Sequence, residues 1–145
     1  MTRPVLVRRV RDEGERALAY AIRTEVFVDE QAVPPELELD EHDAAALHVL
    51  ALDDGEVVGA GRLVLEPGAV AHLGRVAVRK VARGRGTGVA LMAGLERLGR
   101  AHGATTALLS AQVQALGFYE RLGYVAEGAE FDDAGIAHRW MRKAL

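Results

Sequence analysis

The stretch from Leu73 to Gly88 constrains the fold more than any other part of the chain, because it joins a strand pattern to a helix start through a basic, glycine-rich turn. Valines at 76 and 78 favour a strand, and apolar residues recur at helical spacing from Val89 to Ala101. Three glycines between them permit positive φ and close backbone approach, so several N–H groups can converge at the helix start. The stretch therefore predicts an anion site at a helix N-terminus.

Spacing excludes two common phosphate-binding loops. The dinucleotide fingerprint would require a glycine at position 89, where this chain has Val89. The nucleotide P-loop requires Gly-Lys followed by Ser or Thr, which occurs nowhere in the chain. The remaining pattern, Arg83-x-x-Gly86-x-Gly88 after a strand, resembles the loop that holds the pyrophosphate of acyl-coenzyme A in the GNAT superfamily of N-acetyltransferases.

Composition limits the class of protein. The 145 residues are expected to form one domain, residues 1–145, with its own core. Cysteine is absent, which excludes disulfides and a cysteinyl-acyl intermediate, and the five histidines lack metal-ligand spacing, so no metal is predicted. The only serine, Ser110, lies outside any Gly-x-Ser-x-Gly motif. Because no apolar run approaches a membrane span, we expect a cytoplasmic protein without a membrane partner.

Charge is unevenly distributed along the chain. The net charge of -3 and the pI near 6.0 argue against a dedicated nucleic-acid binder. Seven carboxylates and no Lys or Arg lie from Asp29 to Asp43, whereas Arg75 to Arg85 holds five cations and no carboxylate. The first segment suits a cationic amine and the second a polyanion. The alternative is two solvated loops of opposite sign.

Hydrophobic periodicity predicts the order of elements. A strand at residues 5–10 precedes a helix from Asp12 or Glu13 through Val26, and residues 32–43 form an irregular acidic loop after which three antiparallel strands follow. The crossover through the helix after Gly88 sets strand 105–110 parallel to strand 69–78. The remaining predicted elements are strands 47–52 and 56–65, helix 113–122, and a hairpin of strands 124–127 and 137–141. The fold class is α/β (α+β), a mixed and mostly antiparallel sheet with flanking helices.

A second motif strengthens the resemblance to the GNAT superfamily. The segment Gln112-x-x-Ala115-x-x-Phe118-Tyr119-x-x-Leu122-Gly123-Tyr124 is similar to the superfamily signature Asn-x-x-Ala-x-x-x-Tyr-x-x-x-Gly-Phe, with Gln112 and Tyr124 as departures. Flanking segments resemble the ElaA-like branch, so the likeness spans nearly the whole chain. These segments are Glu25 to Val28 with Glu30-Gln31, then Asp40, Asp43 and His48, then Gly74 to Val76, and finally Gly135 to His138 with Met141.

The resemblance implies a site between two splayed parallel strands, with acetyl-CoA as co-substrate. The backbone of Val76, Ala77 and Val78 would pair with the pantetheine arm, and a backbone N–H near Val78 would stabilise the oxyanion. Tyr119 would protonate the departing thiolate. The remaining implied coenzyme contacts are Arg83, Gly84, Arg85, Gly86, Thr87, Gly88, Val89 and Gln112.

The acceptor is expected to be a small-molecule or peptide amine, and several features stay open. The general base is one of Glu25, Glu30, Asp40, His48 and His138, or a water chain. The oligomeric state is open as well, a homodimer included. Two rivals to an N-acetyltransferase remain: a module that binds acyl-CoA without turnover, and a nucleic-acid-binding module that uses Arg75, Arg79, Lys80, Arg83 and Arg85.

Overall fold

The computed structural model describes residues 4–145, and a seven-stranded sheet forms its centre. The strands are β1 (Leu6–Arg9), β2 (Leu47–Asp53), β3 (Glu56–Glu66), β4 (Val70–Val78), β5 (Thr106–Gln112), β6 (Val125–Asp133) and β7 (Ile136–Ala144). Their order is β1-β2-β3-β4-β5-β7-β6, and β4 and β5 form the only parallel pair of the seven. The predicted mixed, mostly antiparallel sheet is confirmed.

Two layers of helix cover the sheet. The α-helices are α1 (Glu13–Arg23), α2 (Pro35–Glu38), α3 (Thr87–Ala101) and α4 (Leu116–Arg121). Leu91 and Leu95 of α3 pack with Leu63 and Leu73 on one face of the sheet. Ala19 and Ile22 of α1 pack with Leu50, Ala60 and Ala77 on the other face. Burial of these two apolar helix stripes supplies the main stabilisation of the fold. No helix among residues 4–145 is long and apolar enough to cross a membrane.

The first helix changes type part-way along. The Asp12 carboxylate accepts the N–H of Glu15 at 2.8 Å, so the predicted helix start is correct. From Thr24 to Glu30, however, the chain is π-helical, and Gln31 N–H bonds the Val26 carbonyl five residues back. We call Thr24–Glu30 the π segment. Wider turns of this kind occur mostly at functional sites, and this one sets the direction of its last residues.

The last hairpin is longer than the sequence pattern predicts. Strand β6 ends at residue 133 and β7 begins at residue 136. The two-residue turn between them consists of Ala134 and Gly135, with φ of +53° and +81°. The prediction of strand 124–127 was too short, because residues 128–133 are polar and glycine-containing. As an edge strand, β6 pairs only with β7 and keeps its polar side chains in solvent.

Candidate functional site

A cleft opens between β4 and β5. The two strands pair only where Val70 to His72 face Thr106 to Leu108. Beyond these residues β4 continues to Val78 and β5 to Gln112 without pairing to each other, so they splay apart as expected. Ala77 and Val78 form ladder contacts on the β3 side alone, and Val76 lies in a bulge. Their other edge is therefore free to pair with an extended ligand.

A β-bulge distorts β4 just before this free edge. Two residues, Arg75 and Val76, oppose the single residue Gly61 of β3, and Arg75 has φ of +52°. A bulge increases the local twist and re-aims the residues that follow it. Sequence analysis missed this feature, because nothing in the pattern distinguishes an arginine at positive φ from an ordinary strand residue.

The glycine turn after β4 leads directly into α3. Gly84 and Gly86 both have φ of +79°, and Gly86 is the residue that precedes the helix. No side chain caps this helix, because its N-cap residue is Gly86, and the buried Thr87 hydroxyl donates inward to the Ala82 carbonyl at 3.4 Å. The N–H groups of the first turn are thus left without a capping side chain. Gly88 has a different role: a Cβ there would lie 3.2 Å from Phe118 Cζ, so α3 packs closely on α4.

The basic residues of the turn are not free cations. Arg83 binds the Glu30 carboxylate through both terminal nitrogens, at 2.6 and 2.8 Å, and its Nε donates to the Val78 carbonyl at 3.0 Å. The other arginines of this stretch are also ion-paired: Arg75 with Asp40, Arg79 with Glu25 and Glu56, and Arg85 with Asp53. Four of the five cations from Arg75 to Arg85 are therefore ion-paired with carboxylates from other segments, which the sequence alone does not show.

The acidic stretch is neutralised in the same way. Arg23, with only 1% of its side chain exposed, donates to Glu38 at 2.9 Å and to Asp43 at 2.7 Å. Arg62 binds Asp40 at 2.7 Å and Asp43 at 2.9 Å. We call these five residues together with Arg75 the charge network. The premise that the acidic segment lacks a compensating cation is wrong, because its partners come from α1, β3 and β4.

The network also sets the ionisation of its central carboxylate. Burial alone would raise the pKa of Asp43, but hydrogen bonds from Arg23 and the Asp40 backbone N–H, with the Arg23 charge, outweigh it. The pKa of Asp43 is consequently held well below its usual range. Asp43 therefore stays ionised at neutral pH as a structural counter-ion.

The last residue of the π segment, Glu30, and the next residue, Gln31, contact the two sides of the cleft. On the β4 side, Glu30 binds Arg83. On the β5 side, Gln31 accepts a hydrogen bond from Gln112 Nε2 at 2.8 Å, and Gln114 donates to the Gln112 side-chain oxygen. Gln112 thus stands at the mouth of the cleft, with its side chain held by two other glutamines.

Tyr119 lies on α4, next to Phe118, whose ring packs against Gly88. Its half-buried ring meets Phe118 and Tyr124 edge-on, with centroid distances of 5.0 and 6.0 Å. Burial raises the pKa of the Tyr119 hydroxyl, so this group holds its proton at neutral pH. A protonated phenol in this position is able to act as a proton donor.

The five candidate bases have different surroundings. Three of them, Glu25, Glu30 and Asp40, are carboxylates held by arginines. His48 is buried against the Asp43 carbonyl, 2.9 Å from Nε2, and burial lowers its pKa. His138 places Nδ1 2.7 Å from the Ile136 carbonyl. Across residues 4–145, no three acidic or histidine side chains are grouped so as to hold a metal ion.

Sequence comparison identifies the family. The model of the acetyltransferase (GNAT) domain matches residues 8–145. An uncharacterized N-acetyltransferase of Bacillus subtilis, YjcF, is 40% identical over 134 residues, which cover 92% of this chain and 95% of that protein. The chain belongs to the GNAT acetyltransferase family. The match confirms the resemblance that the two motifs carry.

Solved structures agree with this GNAT assignment. A crystal structure of an N-acetyltransferase described as putative from Lactobacillus plantarum is 28% identical, with a TM-score of 0.90 and 99% of each chain covered. Escherichia coli ElaA has the same fold at 24% identity, with a TM-score of 0.82 over 97% of this chain and 99% of its own. A Bacillus subtilis acetyltransferase in complex with CoA also has this fold, at 14% identity and a TM-score of 0.75 over 98% and 99% of the two chains.

Proposed function

We propose that this GNAT protein transfers the acetyl group of acetyl-CoA to a primary amine by direct attack in a ternary complex. The observation that carries the proposal is the junction of a free strand edge with an uncapped helix. In the described part of the chain, residues 76–78 of β4 have no strand partner on the cleft side, where the Val78 carbonyl accepts only the Arg83 side chain, and the turn ending at Gly86 presents N–H groups at the start of α3. Extended amide chains suit the first element and phosphates the second.

The proposed coenzyme contacts follow the path of the chain. Val76, Ala77 and Val78 would align the pantetheine arm, and the N–H groups from Gly84 to Val89 would hold the pyrophosphate. Arg83, Arg85 and Thr87 border the same turn, and Gln112 closes the β5 side of the cleft. Bound acetyl-CoA would supply an activated acyl group and a thiolate leaving group.

Three needs of the reaction are matched to groups of the chain. The acceptor ammonium must lose a proton, the tetrahedral oxyanion needs a hydrogen-bond donor, and the departing sulfur is helped by a proton. A backbone N–H of β4 near Val78, beyond the bulge, suits the second need. Tyr119 suits the third, because burial keeps its hydroxyl protonated.

The acceptor class does not follow from the acidic stretch. Because the charge network neutralises Glu38, Asp40 and Asp43, those carboxylates are occupied by arginines and are not free to select a cation. The proposal therefore specifies only that the acceptor is a primary amine, which is protonated to an ammonium group in neutral water.

A screen of amines tests the proposal. The purified protein is mixed with acetyl-CoA and, in turn, propylamine, spermidine, kanamycin and a peptide with a free N-terminus, while thiol release and the mass of the product are recorded. We expect equal amounts of thiol and acetylated amine with at least one acceptor. Binding of coenzyme A by calorimetry without thiol release for any amine would favour the rival, a non-catalytic acyl-CoA-binding module.

A further inference from the structure

We propose that His138 is the general base of the reaction, and that its Nε2 atom takes the proton from the acceptor ammonium. The inference rests on the proposed acetyl transfer and adds a catalytic residue to it. Four observations support it: the position of His138 along the sheet, the face on which it lies, the hydrogen bond of its ring, and the engagement of the other candidates.

The register of the sheet places His138 beside the cleft. His72 of β4 faces Leu108 of the parallel strand β5. Val76 and Gln112 lie four residues further along their strands. They are therefore at the same level on opposite sides of the cleft, apart from an offset of one residue that the bulge introduces. Strand β7 sets His138 directly opposite Gln112. His138 is thus one strand away from the mouth of the cleft.

The side chain of His138 lies on the face opposite α3. Residues directly opposite each other on antiparallel strands project to the same face, so His138 follows Gln112. Gln112 contacts Gln31 of the chain segment that continues α1, which covers this face, whereas α3 covers the other. Phosphates at the start of α3 and an amine beside His138 would approach the cleft from two sides.

A hydrogen bond fixes the ring nitrogen that can act as a base. The Ile136 carbonyl only accepts, so Nδ1 of His138, at 2.7 Å, must donate its proton to it. The lone pair is therefore on Nε2. His138 is 8% exposed, and within residues 4–145 no hydrogen-bond partner occupies its Nε2 atom. Phe131 stacks on the ring at 5.9 Å with an interplanar angle of 25° and fixes its plane.

The surroundings leave this nitrogen without a competing charge partner. Strand β5 brings Gln112 and Ser110 towards His138 and no charged group. Among the charged groups on the other packed elements, Asp132 accepts the Gly135 N–H, Arg139 donates to the Gly128 carbonyl, and Glu30 binds Arg83. Two further carboxylates of β6 are exposed, Glu130 and Asp133. Of the five candidate bases, the three carboxylates are ion-paired and His48 is enclosed.

The proposed step balances in atoms and protons. Nε2 of His138 accepts one proton from the ammonium, and the free amine then attacks the thioester carbon. The C–S bond breaks while the Tyr119 hydroxyl gives its proton to sulfur. The new amide loses a second proton, which restores the Tyr119 hydroxyl, and the imidazolium returns its proton to water.

The test replaces His138 by asparagine. The asparagine amide can still donate to the Ile136 carbonyl, but it has no basic nitrogen. With the best amine of the screen, we expect kcat/KM to fall about a hundredfold or more and coenzyme affinity to stay unchanged. In the wild type, kcat/KM should rise from acid pH and reach a plateau once the base is unprotonated. In the variant it should lack this plateau and keep rising with pH, because it then follows the free-amine fraction of the acceptor. His138→Gln provides a second variant if the asparagine protein is unstable.

His72→Asn is the matched control. His72 lies in the same ring cluster, packs against Trp140 and binds Glu66 through Nδ1 at 2.8 Å. It should keep both the rate and the pH profile. A His138 variant with kcat/KM within threefold of wild type, or with the wild-type plateau retained, overturns the inference, and so does an equal loss in the His72 variant. A wild-type protein that acetylates no amine contradicts the proposed function itself, and the inference with it.

Discussion

The proposed chemistry depends on one functional group, the Tyr119 hydroxyl. Tyr119→Phe keeps the ring contacts with Phe118 and Tyr124 and removes only the proton donor. We expect kcat to fall about a hundredfold to ten-thousandfold, while coenzyme affinity and melting temperature persist. Loss of a mere structural hydrogen bond would change stability by about 1 kcal/mol with little kinetic effect. A kcat within threefold of wild type, measured where chemistry limits the rate, would return Tyr119 to a packing role.

Gly86 tests the phosphate assignment through backbone geometry. Valine is strained at the φ of +79° that Gly86 adopts. No atom lies within 4 Å of a Cβ at this position, so the valine side chain would fill the space that the proposal gives to the phosphates. Gly86→Val should abolish coenzyme binding in calorimetry while the protein stays folded.

Gly103 supplies the matched control at the other end of α3. It has φ of +87°, and nothing lies within 4 Å of a Cβ there. Gly103→Val should therefore show a similar loss of stability with coenzyme affinity intact. Unchanged coenzyme affinity in a folded Gly86→Val protein contradicts the assignment.

The π segment acts at the scale of an element, because its Glu30 occupies both terminal nitrogens of Arg83, a proposed coenzyme contact. Glu30 binds both terminal nitrogens of Arg83, so a phosphate must displace this carboxylate to reach them. Glu30→Gln should tighten coenzyme A binding about two- to fivefold, the range in which exposed ion pairs shift an equilibrium. Calorimetric titration measures the change.

Glu25→Gln is the control for Glu30→Gln. Glu25 lies on the same π segment and binds Arg79 at 3.1 Å, so its replacement removes an equal charge without freeing Arg83. In an Arg83→Gln background, the Glu30 substitution should have no further effect. Equal tightening by Glu25→Gln, or tightening that persists without Arg83, would show general charge repulsion in place of competition for Arg83.

Sequence patterns predicted elements well where local residues decide the conformation. The Asp12 cap, the hairpin turns and the apolar stripe of α3 are local signals, and the elements they predict are present. The π segment has no such signal, because its seven residues are too few to show a helical period different from that of α1. The bulge at Arg75 was also missed, since nothing in the sequence distinguishes an arginine at positive φ from an ordinary strand residue.

At the scale of the whole molecule, ion pairs join segments that are far apart in the sequence. Arg23 lies 20 residues from Asp43, and Arg62 lies 22 residues from Asp40. The sequence showed two charged clusters and no partner for either, because pairing depends on the tertiary fold. The acidic loop is consequently structural in part, and the sequence could place the glycine turn but not the acceptor pocket.

Asp43 gives a prediction for this network. Asp43→Asn leaves the buried Arg23 and Arg62 without their shared carboxylate, and we expect a loss of about 3–5 kcal/mol in the free energy of unfolding. Urea titration measures it. Glu41→Gln is the control, because this side chain of the same stretch is 84% exposed, and it should change stability little.

The low pKa of Asp43 also fixes a pH dependence. Because its folded-state pKa lies below the unfolded value, its contribution is complete above the unfolded pKa of 3.8 and decreases as pH falls. Stability of the wild type should therefore decline below about pH 5, and the decline should be shallower in Asp43→Asn. An identical slope in both proteins would remove Asp43 from the acid transition.

Initial rates at varied concentrations of both substrates test the central claim, direct transfer within a ternary complex of acetyl-CoA and amine. With the best amine of the screen, double-reciprocal lines should intersect, and no acetylated protein should be detected by mass spectrometry when the amine is left out. Parallel lines together with an acetyl-enzyme would contradict the account.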